Sequence, residues 1–464
     1  MQSFVKVLSP FIVLLMLSSC SKKDALPEPY PTDSLGKINR WVLDSMRRFY
    51  YWSGEIPAKP DYSLSPELFF KSLLSVNDRF SHISGPNVPP ASNAYFTYGL
   101  QYAFLQVPDL DHYIGVVTLV NKGGGAEQAG FKRGSYFTKV NGEYVTDKNM
   151  QKVNQLLNNR GSLQLTVASY TGNSWRDGDS KPVSPGFRNE DPVYYTRVFS
   201  GTAGKTGYLY YSSFNEAYDG SLLAAFTKFK NEGINDLIVD LRYNAGGSVA
   251  SCAKLAGMIA SGLNGGEVFA IFQGNSGEGR SSHSLQNILN TSGNPAGRQF
   301  ADLQSRQLQL NRIFILTTNA TVSAAEMLVN NLKPFINVIQ VGEKTTGKDE
   351  ASFTIADGRV PRQVDWVIQP IVYKLFNRNN EGNYAGGLVP QQVVDETSQL
   401  PLEDIGTGKD ALIRKALEMI YGAGYTGEPA DLRMAPLHPA IRARAVYRSA
   451  VEQAANAAPV LLRQ

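Results

Sequence analysis

From about residue 189 to 425, short apolar runs alternate with segments of helical spacing. Leu237 to Leu241 is an apolar run broken only by Asp240, and Gly207 to Tyr211, Arg312 to Thr318 and Val338 to Val341 read as further strands. Leu222, Leu223, Phe226 and Phe229 mark a helix between them, as do Val249 to Ala260 and Ser323 to Phe335. Strands with no polar alternation are buried on both faces, so helices must cover each side, which is an α/β layer domain. Residues 262–309 interrupt this rhythm with a polar stretch rich in Gly, Ser and Asn, expected to be a loop or lid over a site.

The α/β region is only part of the chain. At about 150 residues per domain, 464 residues correspond to roughly three domains. Hydrophobic residues make up 42%, enough to bury cores. Lys and Arg number 45 against 41 Asp and Glu, with no block of like charge, which argues against nucleic acid as a partner. Two cysteines and four histidines exclude a disulfide scaffold and a Cys-rich zinc site. No metal or organic cofactor is implied.

The first residues, MQSFVKVLSPFIVLLMLSSC, carry one charge (Lys6) and then an apolar run from Val7 to Leu17. That run is shorter than the roughly 20 residues a spanning helix needs, but it suits a signal-peptide core. Leu17-Ser18-Ser19-Cys20 resembles the bacterial lipobox, in which the cysteine is lipidated. The resemblance implies cleavage of residues 1–19, a lipid on Cys20 and a place in the bacterial cell envelope, outside the cytoplasm and anchored to a membrane. Residues 20–36, with three prolines, read as a tether, and residues 37–90 as a small helical domain.

Residues 92–170 change to a β-rich pattern. The strand Tyr113 to Val120 leads to Gly123-Gly124-Gly125-Ala126-Glu127-Gln128-Ala129-Gly130, and a V-N-G turn, a helix near Lys148 to Leu157 and a strand at Leu163 to Val167 follow. The order resembles a circularly permuted bacterial PDZ domain. Such a domain takes a peptide as an added strand and captures its terminal carboxylate in a backbone nest. The segment Tyr98-Gly99-Leu100 is the expected carboxylate loop. Residues 171–188 read as a linker, and residues 426–464 as a tail that is helical in pattern from about Pro439.

Two segments of the α/β region carry chemistry. Asp240-Leu241-Arg242-Tyr243-Asn244-Ala245-Gly246-Gly247-Ser248 is a strand running into a double-glycine turn, which lets backbone N–H groups approach a ligand. The second runs from Ile313 through Ser323-Ala324-Ala325-Glu326 to Gly342-Glu343-Lys344-Thr345-Thr346-Gly347-Lys348. A serine at a strand-to-helix turn sits beside free amides that can stabilise an oxyanion. Taken alone, Ser323 to Glu326 is also a capping box and needs no catalysis. Gly342 to Lys348 spells G-x-x-x-x-G-K, but Asp349 stands where a nucleotide-binding loop needs Ser or Thr. Ser251-Cys252-Ala253-Lys254 and Lys205-Thr206-Gly207 match S-x-x-K and K-T-G in the wrong order for penicillin-recognising enzymes.

D-L-R-x-N-x-G-G, S-A-x-E and V-G-E-x-T-x-G-K together resemble the carboxyl-terminal processing (tail-specific) peptidases, the S41 serine peptidases. The resemblance implies an α/β multidomain chain: an N-terminal helical segment, a PDZ-like domain and, over 189–425, a ClpP/crotonase-like peptidase domain. It also implies Ser323 as nucleophile and Lys348 as general base. The amides of Gly246 or Gly247 and of Ala324 would form the oxyanion hole. Physical reasoning agrees with the base: a lysine serves only when deprotonated, and burial can lower its pKa. The four histidines, His82, His112, His283 and His438, all lie outside these motifs. Many family members carry glutamine four residues after the lysine, whereas this chain has Ser352, a shorter substitute for orienting Lys348. The expectation is therefore a lipid-anchored endopeptidase acting on proteins or peptides with free C-termini. The competing expectation is a peptidase-fold scaffold of little turnover that binds C-terminal peptides.

Overall fold

A computed structural model of the chain describes residues 33–86, 94–108, 110–171, 174–186, 189–398, 400–425, 441 and 443–451. The leader, Cys20, most of the tether and His438 lie outside the described residues. Among the described residues, no helix is long and apolar enough to cross a membrane.

The N-terminal part is helical, as its spacing predicts. Asp33 caps the helix Ser34–Phe49 by accepting from the Gly36 N–H at 2.8 Å, and Arg47 and Arg48 sit in its last turn, where the helix dipole favours cations. Val42, Leu43 and Met46 on its inner face pack with Phe69 and Phe70 of the helix Pro66–Ser72. The chain then enters the strand His82–Ser84, which pairs antiparallel with Val367–Gln369 of the α/β region. The two regions therefore share a sheet.

A seven-stranded sheet forms the second part. Its strands run in the order Arg444–Arg448, Leu100–Gln106, Ile114–Val120, Tyr136–Val140, Leu163–Thr171 and Ser174–Val183, with Glu143–Tyr144 paired to Tyr136–Val140. The helix Met150–Leu157 closes a core that holds Tyr102, Phe104, Phe137, Val153 and Leu157. Two expectations are corrected here. The stretch 171–188 is not simply a linker, because Ser174–Val183 is a strand paired antiparallel with Leu163–Thr171. Its polar composition reflects a mostly exposed sheet edge. Likewise the tail is not helical at residues 444–448. There it is a strand antiparallel to Leu100–Gln106, because pairing with a sheet edge outweighs local spacing.

The α/β region has a six-stranded sheet in the order Gln392–Val393, Asn337–Gly342, Arg312–Thr317, Asp236–Asp240, Gly204–Tyr211 and Val193–Gly201. The first five are parallel and the last is antiparallel. The helices Asp219–Glu232, Val249–Ile259 and Ala324–Leu332 pack on one face, and Ala411–Tyr421 packs on the other. The insert 262–309 is folded rather than a free lid. It supplies the strands Val268–Gln273 and Arg280–Ser284 and two short helices whose Leu285, Ile288, Leu289 and Leu303 are buried in the main core. These apolar residues are too sparse in the sequence to outweigh its polar neighbours.

Candidate active site

The two chemistry-bearing segments leave the carboxyl ends of three adjacent parallel strands, where ligands bind in open α/β sheets. Asp236–Asp240 runs into the double-glycine turn, Arg312–Thr317 into the serine turn, and Asn337–Gly342 into the loop that ends at Lys348.

Ser323 lies in the left-handed region at φ 63°. For a residue with a Cβ this costs about 1–3 kcal/mol and persists only where the surroundings enforce it. Here they do. The Val322 N–H donates to the Asn244 carbonyl at 3.0 Å, and the Thr321 hydroxyl donates to the Leu241 carbonyl at 2.8 Å. The Ser323 N–H donates to Glu326 Oε2 at 2.9 Å. The Ser323 side chain is buried, and its Oγ has no hydrogen-bond partner among the described residues.

The double-glycine turn lies directly against that serine. A Cβ on Gly246 would sit 2.8 Å from Ser323 Cβ and 3.0 Å from the Ala324 nitrogen, and Gly246 holds φ 94°. Only glycine fits there. The Gly246 N–H donates to Asn244 Oδ1 at 2.8 Å, so it is already engaged. Of the expected oxyanion donors this leaves Gly247, which follows at φ 134°, and Ala324, the first residue of its helix.

Lys348 is 3% exposed, and burial pulls its ammonium down from the ordinary 10.5 to about 8. Its Nζ lies 4.8 Å from the centre of the Phe80 ring. Glu350, Glu326 and Asp78 oppose the shift, but desolvation outweighs them. No hydrogen bond joins Ser323 Oγ to Lys348 Nζ. Ser352 is also buried, and its Oγ has no partner among the described residues, so it makes no hydrogen bond to Lys348.

Glu326 ties the loops together. Its Oε2 accepts from the Ser323 N–H at 2.9 Å and the Lys348 N–H at 2.8 Å, and its Oε1 accepts from the Gly347 N–H at 2.6 Å and the Thr345 hydroxyl at 2.5 Å. One carboxylate oxygen therefore holds the backbones of Ser323 and Lys348 within about 6 Å of each other. The capping-box pattern pointed to Glu326, but only as the partner of its own helix.

Most of the other contributors left no signal in the sequence. Arg79 donates to the carbonyls of Gly347 and Ala385 from the N-terminal helical part. Beneath the double-glycine turn, Arg242 is fully buried and bonds Asp240, Glu396 and Asp410. Arg133 of the PDZ-like part reaches two of these acids, Glu396 at 2.9 Å and Asp410 at 3.1 Å. Arg242 stood in a recognised motif, but Arg133, Glu396 and Asp410 did not. At the expected carboxylate loop, Tyr98 is a core residue whose hydroxyl donates to the carbonyls of Asn159 and Gly161. Gly99 takes φ 70° and its N–H donates to the Tyr95 carbonyl, while Leu100 begins the Leu100–Gln106 strand. Cys252 is buried, and burial raises its thiol pKa, which makes it inert.

Acyl transfer through a serine needs a hydroxyl, a desolvated base and amides for an oxyanion, and the strand ends carry groups of those kinds. Groups of these kinds are the ones a serine peptidase uses. Residues 205–390 match the model of peptidase family S41, residues 37–82 that of the peptidase S41 N-terminal domain, and residues 116–169 that of a PDZ domain. Models of S41 peptidase domains thus match this chain at its N-terminal helical part and across its α/β region. It is similar to a probable CtpA-like serine protease of Staphylococcus aureus strain COL, 24% identical over 233 residues, covering 50% of this chain and 41% of that one. A Staphylococcus epidermidis protein of the same description is 26% identical over 232 residues, covering 50% and 42%. The alignment thus spans less than half the length of these relatives. Among solved structures, a putative S41 protease from Bacteroides fragilis NCTC 9343 matches with 26% identity and a TM-score of 0.68, covering 85% of this chain and 98% of that one.

Proposed function

We propose that the protein is a lipid-anchored endopeptidase that cleaves extracytoplasmic proteins near their C-terminal tails. The observation that carries this reading is the Glu326 carboxylate, which brings the Ser323 turn and a desolvated Lys348 to one place. Ser323 Oγ would attack the scissile carbonyl and give its proton to neutral Lys348 Nζ. The Gly247 and Ala324 N–H groups would hold the resulting oxyanion. Collapse breaks the peptide bond, Lys348 returns the proton to the leaving amine, and water then releases the acyl group from Ser323. The PDZ domain would hold the substrate's tail, and a lipid on Cys20 would place the enzyme at the envelope membrane. A Ser323→Ala variant, folded by circular dichroism, is expected to lose cleavage of an unstructured protein by at least about a thousandfold. Cleavage at the wild-type rate would overturn the proposal.

The unpartnered Oγ of Ser323 and the isolated Ser352 favour a second reading, a tail-binding scaffold with little turnover. Fluorophosphonate labelling separates the two. Labelling of Ser323 that Lys348→Ala abolishes supports the enzyme, and absence of labelling supports the scaffold.

A further inference from the structure

The strand Arg444–Arg448 lies on the one edge of the PDZ sheet that leads back to the expected carboxylate loop. It pairs antiparallel with Leu100–Gln106, with Gln106 opposite Arg444 and Ala103 opposite Arg448. Its C-terminal direction therefore runs toward Gly99 and Leu100, the direction in which a peptide ending at that loop would have to lie. The Ser449 hydroxyl continues the contact by accepting from the Tyr102 N–H at 2.9 Å. The Tyr447 ring packs against Tyr102 and Phe104, with centroids 5.8 and 5.7 Å away, beside the core that the helix Met150–Leu157 closes.

A second set of bonds locks the strand in place. Arg448 forms ion pairs with Glu343 and, at 3.0 Å, with Asp395, and its guanidinium donates to the Thr397 hydroxyl at 3.2 Å. It also donates to Asn319 Oδ1 at 3.4 Å. Glu343 begins the loop that ends at Lys348, and Asn319 lies in the turn that presents Ser323. One residue thus joins the PDZ edge to both catalytic loops.

We propose that residues 444–449 are a built-in competitor that occupies the peptide-binding edge of the PDZ domain, so that a substrate's tail must displace this strand before it is held. The proposal rests on the tail-holding role given above to the PDZ domain. The occupant shares the backbone ladder, the direction and the apolar anchor of an incoming strand, and being tethered it acts at an effective concentration near the millimolar range.

A cross-strand lock tests the idea in the full chain carrying Ser323→Ala to prevent turnover and Cys20→Ser, so that the buried Cys252 is the one native thiol left. Gln106 and Arg444 are exposed and directly opposite, so Gln106→Cys with Arg444→Cys can be closed by oxidation and opened by reductant. The probe is a fluorescein-labelled ten-residue peptide with an apolar C-terminal residue and a free carboxylate, followed by anisotropy. The oxidised form should bind it at least tenfold more weakly than the reduced form. Tyr447→Ala with Arg448→Ala, which loosens the strand, should bind it about tenfold more tightly than the parent. Equal binding by oxidised and reduced forms overturns the proposal. Binding by no form also overturns it, and with it the tail-holding role, while Ser323-dependent hydrolysis would stand as a separate result.

Discussion

Lys348 shows how one residue can be costly for the fold while suiting the chemistry proposed for it. Its pKa near 8 in the folded chain lies below the ordinary 10.5, so folding a protonated Lys348 is unfavourable. The penalty is about 3 kcal/mol at pH 7, where both states carry the proton, and it disappears as pH rises from 8 through 10.5. Lys348→Met is therefore expected to abolish cleavage while stabilising the chain by up to about 3 kcal/mol at pH 7. In urea titrations that gain should shrink toward zero by pH 10.5, and a destabilised variant at pH 7 would contradict it. Residue identity was legible at this scale: Ser323, Lys348 and the paired glycines all stand in recognisable motifs. What the motifs could not supply was which amide is free. Gly246 and Gly247 are adjacent in the chain, but Asn244 engages only the first.

At the scale of elements, the double-glycine turn rests on a buried ionic cluster in which Arg242 and Arg133 face Asp240, Glu396 and Asp410. Tyr243 donates to Glu396, and Tyr208 donates to Asp240 at 2.7 Å. Asp410 also caps the helix Ala411–Tyr421, so one carboxylate serves a helix start and two arginines. Removing one partner leaves charge buried without compensation, which costs about 3–5 kcal/mol. Arg133→Met should destabilise the chain by that amount in denaturant titrations, although Arg133 lies in a different module from the site. A loss below about 1 kcal/mol would show that the cluster is looser than its geometry. The long apolar strands and the helices between them were readable because they repeat one period over many residues. The polar strand Ser174–Val183 and the tail strand Arg444–Arg448 were not, since each is a strand only because an edge is present to pair with it.

For the whole molecule, the N-terminal helical part is more than a spacer. Its turn at residues 78–82 brings Phe80 over Lys348 and Arg79 onto the backbone just before it. The low pKa of Lys348 comes first from desolvation, so its cover matters. Phe80→Ala should readmit water and move the lysine back toward its ordinary value. The midpoint of the pH profile for kcat/KM should then shift upward from about 8 by roughly one unit, with little change at pH 10. An unchanged midpoint would mean that other groups desolvate the base.

The sequence by itself determined the order of modules, the α/β layering and the identities of the serine and lysine. Each of these is carried by a periodicity or a local motif that acts over a few tens of residues. Only the tertiary structure decided that Glu326 spans the backbones of Ser323 and Lys348, that Phe80 covers the lysine, that Arg133 supports the double-glycine turn and that the tail lies on the PDZ edge. These contacts join residues as many as some hundreds of positions apart, and burial, the force behind most of them, depends on the whole packed molecule rather than on neighbouring letters.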